Sequence, residues 1–130
     1  MHLVSIICPI YNEKYFIINC LESIISQDYP KSKLEVWFID GMSNDGTRFM
    51  VQQYIEKYSY IKLLDNPNKI VPYALNIGIK ASKGEVIIRL DGHCTYPSNY
   101  VSLLVKHLYK LNADNVGGVW KILPARNSSI

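Results

Sequence analysis

Asp91 and His93, one residue apart, are the pair in this chain best suited to chemistry. A carboxylate oxygen and an imidazole nitrogen held in one tight turn can share a divalent cation. Gly92 between them lets backbone and ligand come close. Taken alone, Asp-Gly-His reads better as an ordinary turn carrying a surface histidine, so the elements around it must decide. The preceding stretch, Gly84 to Leu90, sets Val86, Ile87, Ile88 and Leu90 between a glycine and Asp91. That is the pattern of a buried strand ending on a carboxylate, and open α/β sheets bind ligands at that edge. Asp40 closes the apolar run Glu35 to Ile39 in the same way, and Glu13 follows the run Leu3 to Ile10.

The remaining elements follow from periodicity. Leu3 to Ile10 (LVSIICPI) is continuous and β-branched, so it predicts a central strand. A helix is expected from an N-cap at Asn12 to about Gln27, with Ile17, Leu21, Ile24 and Ile25 inward. After the Asp40 strand come a turn-rich loop and a helix burying Phe49 or Met50, Val51, Tyr54, Ile55 and Tyr58. A short strand at Ile61 to Leu64 is followed by a helix with Pro72 in its first turn. Gly78 in that helix costs stability relative to alanine, which implies close packing against it. Pro97-Ser98 opens a regular helix with Val101, Leu104, Val105, Leu108 and Leu111 as its apolar stripe. Asn115 to Ile122 is expected to be a fifth strand, weakened by Gly117-Gly118. Strands alternating with helices predict an α/β, Rossmann-like three-layer sandwich with a mostly parallel sheet. On that topology Glu13, Asp40, Asp91 and His93 share one edge.

Composition narrows the class. With 48% hydrophobic and 19% charged residues the chain is globular, and a net charge of +3 spread without runs argues against a nucleic-acid partner. Cys8, Cys20 and Cys94 form no Cys-x-x-Cys pair, which fits a reducing, cytoplasmic setting rather than a disulfide framework. No signal peptide is read at the start, and no apolar run approaches the ~20 residues of a membrane span. Membrane association is expected only through segments beyond Ile130. Neither G-x-G-x-x-G nor G-x-x-x-x-G-K-[ST] occurs, which removes the usual dinucleotide and P-loop readings. A nucleotide held by carboxylates, with a metal neutralising its phosphates, remains.

The series VSIICPIYNE, EVWFIDGMSNDGT, NPNKIVPYALNIGIKASKGEVIIRLDGH and NVGGVWKILPA resembles, in order, the nucleotide-binding half of family 2 glycosyltransferases of the GT-A fold. Within that family the chain is similar to the succinoglycan-biosynthesis type of bacterial polysaccharide glycosyltransferase. The resemblance covers residues 3 to 125. It implies that Pro9, Tyr11 and Glu13 form a nucleotide-contacting loop and that Asp40 hydrogen-bonds the uracil of a UDP-sugar. Lys69 lies in a segment that reaches the nucleotide, and Asn76 and Gly78 match a structural N-x-G. Ser43, Asp45 and Thr47 read as turn and cap residues. Asp91 and His93 stand where the family carries its metal-binding Asp-x-Asp, with histidine replacing the second acid, so Mn²⁺ or Mg²⁺ is the implied cofactor.

The resemblance also implies inverting transfer from a nucleotide-sugar donor to a saccharide or lipid-linked acceptor, with Lewis-acid help to the departing nucleoside diphosphate. The general base of the family lies well after the metal motif. Asp114 is the sole carboxylate following Asp91. Residues 1 to 130 are therefore expected to be the donor-binding part, truncated before the acceptor part, inactive alone and open to self-association near Val116 to Leu123. A non-catalytic nucleotide-binding or protein-interaction module is the rival reading. A receiver-type phosphoacceptor domain is disfavoured because the first strand ends in Cys8-Pro9 rather than an acidic pair.

Overall fold

The structure is a computed structural model and describes residues 1–112, 114–116 and 119–121. Its strands are β1 (Val4–Ile10), β2 (Leu34–Asp40), β3 (Ile61–Asp65), β4 (Val86–Arg89), β5 (Asn115–Val116) and β6 (Val119–Lys121). Its α-helices are α1 (Ile17–Ile25), α2 (Thr47–Lys57), α3 (Val71–Ala81) and α4 (Tyr100–Lys110). One sheet has the order β3-β2-β1-β4-β6-β5. β1 pairs in parallel with β2 and β4, and β2 with β3, whereas β6 runs antiparallel to both β4 and β5.

Alternation along β1 explains the three layers. Val4, Ile6, Cys8 and Ile10 join Val36, Phe38 and Ile88 under α1, α2 and α4. Ile7 faces the other way, with Ile39, Ile87 and Ala74 of α3. β1, β2 and β4 thus bury most of both faces, which is why these runs are largely apolar rather than alternating, whereas β3 at the sheet's edge is partly exposed. The chain leaves β1 for β2 and β3 on one side and returns to β4 on the other. That places the switch in strand order between β1 and β4, where the loops after them form a crevice.

Several expectations needed correction. The first helix begins at Ile17 and ends at Ile25. Asn12 cannot cap it, because its backbone is left-handed (φ 50°) and its Oδ1 accepts a bond from Asn44 N at 2.9 Å. The expected fifth strand is two short strands, β5 and β6, that pair antiparallel around residues 117–118. On α2, Met50 and not Phe49 packs inward; Phe49 is 65% exposed. α4 starts at Tyr100, and Leu111 lies past its end, exposed. The patch expected near Val116 to Leu123 falls largely outside the described residues, as does the side chain of Trp120. Among the described residues no helix is long and apolar enough to cross a membrane.

The packing expected against Gly78 is present. A Cβ there would stand 2.6 Å from Cγ2 of Ile7, so α3 lies on β1 at a distance only glycine allows. Gly78→Val is expected to destabilise the fold by about 2–3 kcal/mol through overpacking, despite a small gain in helix propensity. Urea denaturation reads this directly; an unchanged midpoint would mean that Ile7 moves aside freely.

Candidate active site

The crevice at the carboxyl ends of β1 and β4 is a cavity of about 260 Å³. Pro9, Tyr11, Glu13, Lys69, Asp91 and His93 all line it. These residues come from three separate loops, so only the parallel sheet brings them together.

The turn that presents Asp91 is heavily braced. Cys94 N donates to Asp91 O at 3.3 Å and closes the turn over Gly92 and His93. Asp91 N donates to the Tyr96 hydroxyl at 2.8 Å, and that hydroxyl and the Cys20 thiol both reach Asp91 O. Gly92 is packed so tightly that a Cβ would sit 2.7 Å from Ile10 Cγ2. The backbone is therefore fixed while the Asp91 and His93 side chains stay roughly half exposed, free to meet a ligand. Burial and the nearby thiols push the Tyr96 hydroxyl well above its ordinary value, which keeps it protonated as a donor.

Glu13 meets this turn from β1. Its Oε2 is 3.5 Å from His93 Nδ1, shielded from solvent and without a hydrogen-bond partner. A carboxylate beside one ring nitrogen is how proteins orient a histidine whose other nitrogen binds metal. Asp91, His93 and Cys94 offer ligand atoms that all lie within 4.8 Å of one another. An orphaned buried carboxylate oxygen and a convergent oxygen, nitrogen and sulphur set together fit a divalent cation.

The loops after β1 and β2 are stitched to each other. Asn12 N donates to Ser43 Oγ at 2.8 Å, Glu13 N to Thr47 Oγ1 at 2.9 Å, and Lys14 N to Asp45 Oδ2 at 3.2 Å. Ser43, Asp45 and Thr47 thus hold the loop that carries Tyr11 and Glu13. The residues Asn12, Met42 and Lys69 have positive φ of 50°, 67° and 65°, and all three stand in loops at this edge. Such conformations cost about 1 kcal/mol or more each and persist where the surroundings enforce them.

Asp40 departs from its expected place. It is fully buried and does not line the cavity. Its carboxylate accepts from Ser43 N at 3.0 Å, Ser43 Oγ at 2.5 Å and Arg48 Nη1 at 2.8 Å. Its backbone oxygen accepts from Asn66 N at 2.7 Å, so Asp40 instead sets the position of Asn66.

Sequence reasoning missed Asn66 and Arg89. Asn66 lines the cavity, is 2% exposed, and leaves its Oδ1 without a partner while Nδ2 donates to Ile70 O at 2.9 Å. Nothing in Asn66-Pro67-Asn68 distinguishes a buried acceptor from a turn former. Arg89 ends β4, lines the cavity and stands 3.7 Å from Asp91. The exposed end of an otherwise buried strand was the available signal.

Comparison with known proteins agrees with this geometry. The chain is 37% identical over 116 residues to glycosyltransferase AglE of Haloferax volcanii, covering 88% of this chain and 38% of that protein. It is 31% identical to the succinoglycan biosynthesis protein ExoA of Rhizobium meliloti, covering 85% and 34%. Among solved structures, a mannosyltransferase from Pyrobaculum calidifontis in complex with GDP-Man and Mn²⁺ is 32% identical with a TM-score of 0.78, over 82% of this chain and 32% of that one. The chain thus spans only about a third of the length of these relatives. The fold is the GT-A type. Glycosyl transferase family 2 matches residues 5–126, and the chain belongs to that family.

Proposed function

We propose that this chain is the donor-binding part of an inverting, metal-assisted glycosyltransferase that transfers a sugar from a nucleoside diphosphate to a saccharide or lipid-linked acceptor. The observation that carries the reading is the single cavity in which Tyr11, Glu13, Lys69, Asp91 and His93 converge. The apolar side chains of Ile39, Ile70, Val71 and Ala74 in its lining suit the faces of a nucleobase. Asn66 Oδ1 is the acceptor there for a ring N–H, since a buried oxygen without a partner gains most from a ligand that supplies one. Lys69 and Arg89 neutralise the diphosphate from the two sides of the cavity.

Asp91 and His93 would hold Mn²⁺ or Mg²⁺, with Glu13 orienting the imidazole so that Nε2 is the free ligand atom. When bound, such a cation supplies Lewis-acid stabilisation to a departing nucleoside diphosphate. The Mn²⁺ and GDP-Man in the Pyrobaculum calidifontis relative support the metal and a nucleotide-sugar donor. They also make guanine a rival to the uracil implied by the sequence resemblance.

Calorimetric titration of the chain with UDP and with GDP, each with and without Mn²⁺, tests the proposal. Binding of one nucleotide that strengthens at least about tenfold, ~1.4 kcal/mol, on adding Mn²⁺ is expected. A folded chain that binds neither nucleotide would refute the donor site and favour a non-catalytic module.

A further inference from the structure

The metal turn carries a third donor that a hard-cation site does not need. Cys94 closes the turn begun by Asp91, through its N–H to Asp91 O, and this i to i+3 geometry brings the two side chains close together. The thiol is free, part-exposed, and within 4.8 Å of ligand atoms of both Asp91 and His93. The other two thiols are fully buried, so Cys94 alone is placed to meet a cation from solvent.

Ligand softness then decides the metal. Two oxygen-only or oxygen and nitrogen ligands leave Mg²⁺ and Mn²⁺ competitive, whereas an added thiolate selects for borderline and soft ions such as Zn²⁺ and Co²⁺. Oxygen, nitrogen and sulphur converging from one braced turn also meet the three-ligand minimum of zinc sites that keep a position open for a further ligand. We propose that Cys94 is a third metal ligand, and that the Asp91-His93-Cys94 turn binds Zn²⁺-class cations in preference to Mg²⁺. This rests on the reading of Asp91 and His93 as metal ligands, and adds a sulphur ligand and a cation preference to it. A cell's free zinc could then occupy the site in place of the hard cation that a donor diphosphate recruits.

Titration of the reduced chain with Co²⁺ in the absence of nucleotide tests the ligand set without any activity measurement. The expected result is visible d–d bands together with a near-ultraviolet sulphur-to-cobalt charge-transfer band. In Cys94→Ser the charge-transfer band disappears, and Zn²⁺, measured by competition against Co²⁺, binds at least about tenfold more weakly, while Mn²⁺ affinity is nearly unchanged. Superimposable Co²⁺ spectra of the two proteins would overturn the proposal, as would a chain that binds no Co²⁺. Cys94 is not in the core, and far-ultraviolet circular dichroism of Cys94→Ser checks that the fold survives. Because no nucleotide is present, failure here leaves the calorimetric test of the donor site untouched, and failure there leaves the cobalt spectra standing.

Discussion

Asp91→Ala is expected to abolish the Mn²⁺-dependent part of nucleotide binding while leaving the metal-free part intact. Three features of the structure set this sign. Asp91 is the only carboxylate on the braced turn, so its loss removes the oxygen ligand of the cation, and the His93 nitrogen and Cys94 sulphur that remain suit Mn²⁺ poorly. Its side chain is 48% exposed and supports no buried neighbour, so the substitution should not unfold the domain. Arg89, 3.7 Å from Asp91, is released and can approach the diphosphate. In EDTA the variant should therefore bind nucleotide as well as the parent or slightly better. With Mn²⁺ it should gain nothing, against a parent gain of about tenfold to a hundredfold, ~1.4–2.7 kcal/mol. Calorimetry with and without metal separates the two. Equal metal dependence in both proteins would place the cation elsewhere.

The second large effect concerns the wall behind the cavity. Arg48 Nη1 bridges the buried Asp40 at 2.8 Å and the exposed Asp65 at 2.6 Å. Removing the cation leaves Asp40, with no solvent access, holding its charge on the two bonds from Ser43 alone. Breaking one partner of a buried pair costs about 3–5 kcal/mol, and because Arg48 is itself 31% exposed the lower end or slightly less, about 2–3 kcal/mol, is expected for Arg48→Met. The cost should lie in the stranded charge. Asp40→Asn in the Arg48→Met background is therefore expected to recover part of the loss in urea denaturation. If the double variant is no more stable than Arg48→Met, lost packing of the arginine stem is the cause instead. Nucleotide binding should weaken as well, since Asp40 O fixes Asn66 and Gly41 N is bonded to Ile10 O in the same wall.

These two variants separate roles that look alike in the sequence. Asp40 and Asp91 both end apolar runs and both precede a glycine. One is buried under an arginine and the other is open to solvent. Strand-end position alone cannot tell them apart, because burial of a side chain at a strand end depends on which helix packs over it. Here α2 brings Arg48 over Asp40, while the Asp91 side chain stays 48% exposed.

Much of the architecture follows from local rules. The apolar runs at Leu3 to Ile10, Glu35 to Ile39 and Val86 to Leu90 read as buried strands, and the intervening helical stripes required crossovers. Parallel topology set Glu13, Asp91 and His93 on one edge together with Asp40; Pro9, Tyr11 and Lys69 entered through the family resemblance, and all of these except Asp40 line the one cavity. Gly78 was legible because a helical glycine is costly unless something packs on it.

What the tertiary structure alone decided is where side chains turned once those loops met. Asn12, by its type a helix cap, became a brace because Asn44 lay across from it. Val119–Lys121 became a separate strand running antiparallel to β4 and to Asn115–Val116, because β4 accepted an antiparallel partner along its edge. Asn66 became a buried acceptor and Cys94 a close neighbour of the Asp91 and His93 side chains. Sequence periodicity records which face of an element is buried, a property of a few neighbouring residues. It carries no record of hydrogen bonds between loops separated by thirty residues or more, and those bonds give this cavity its chemistry.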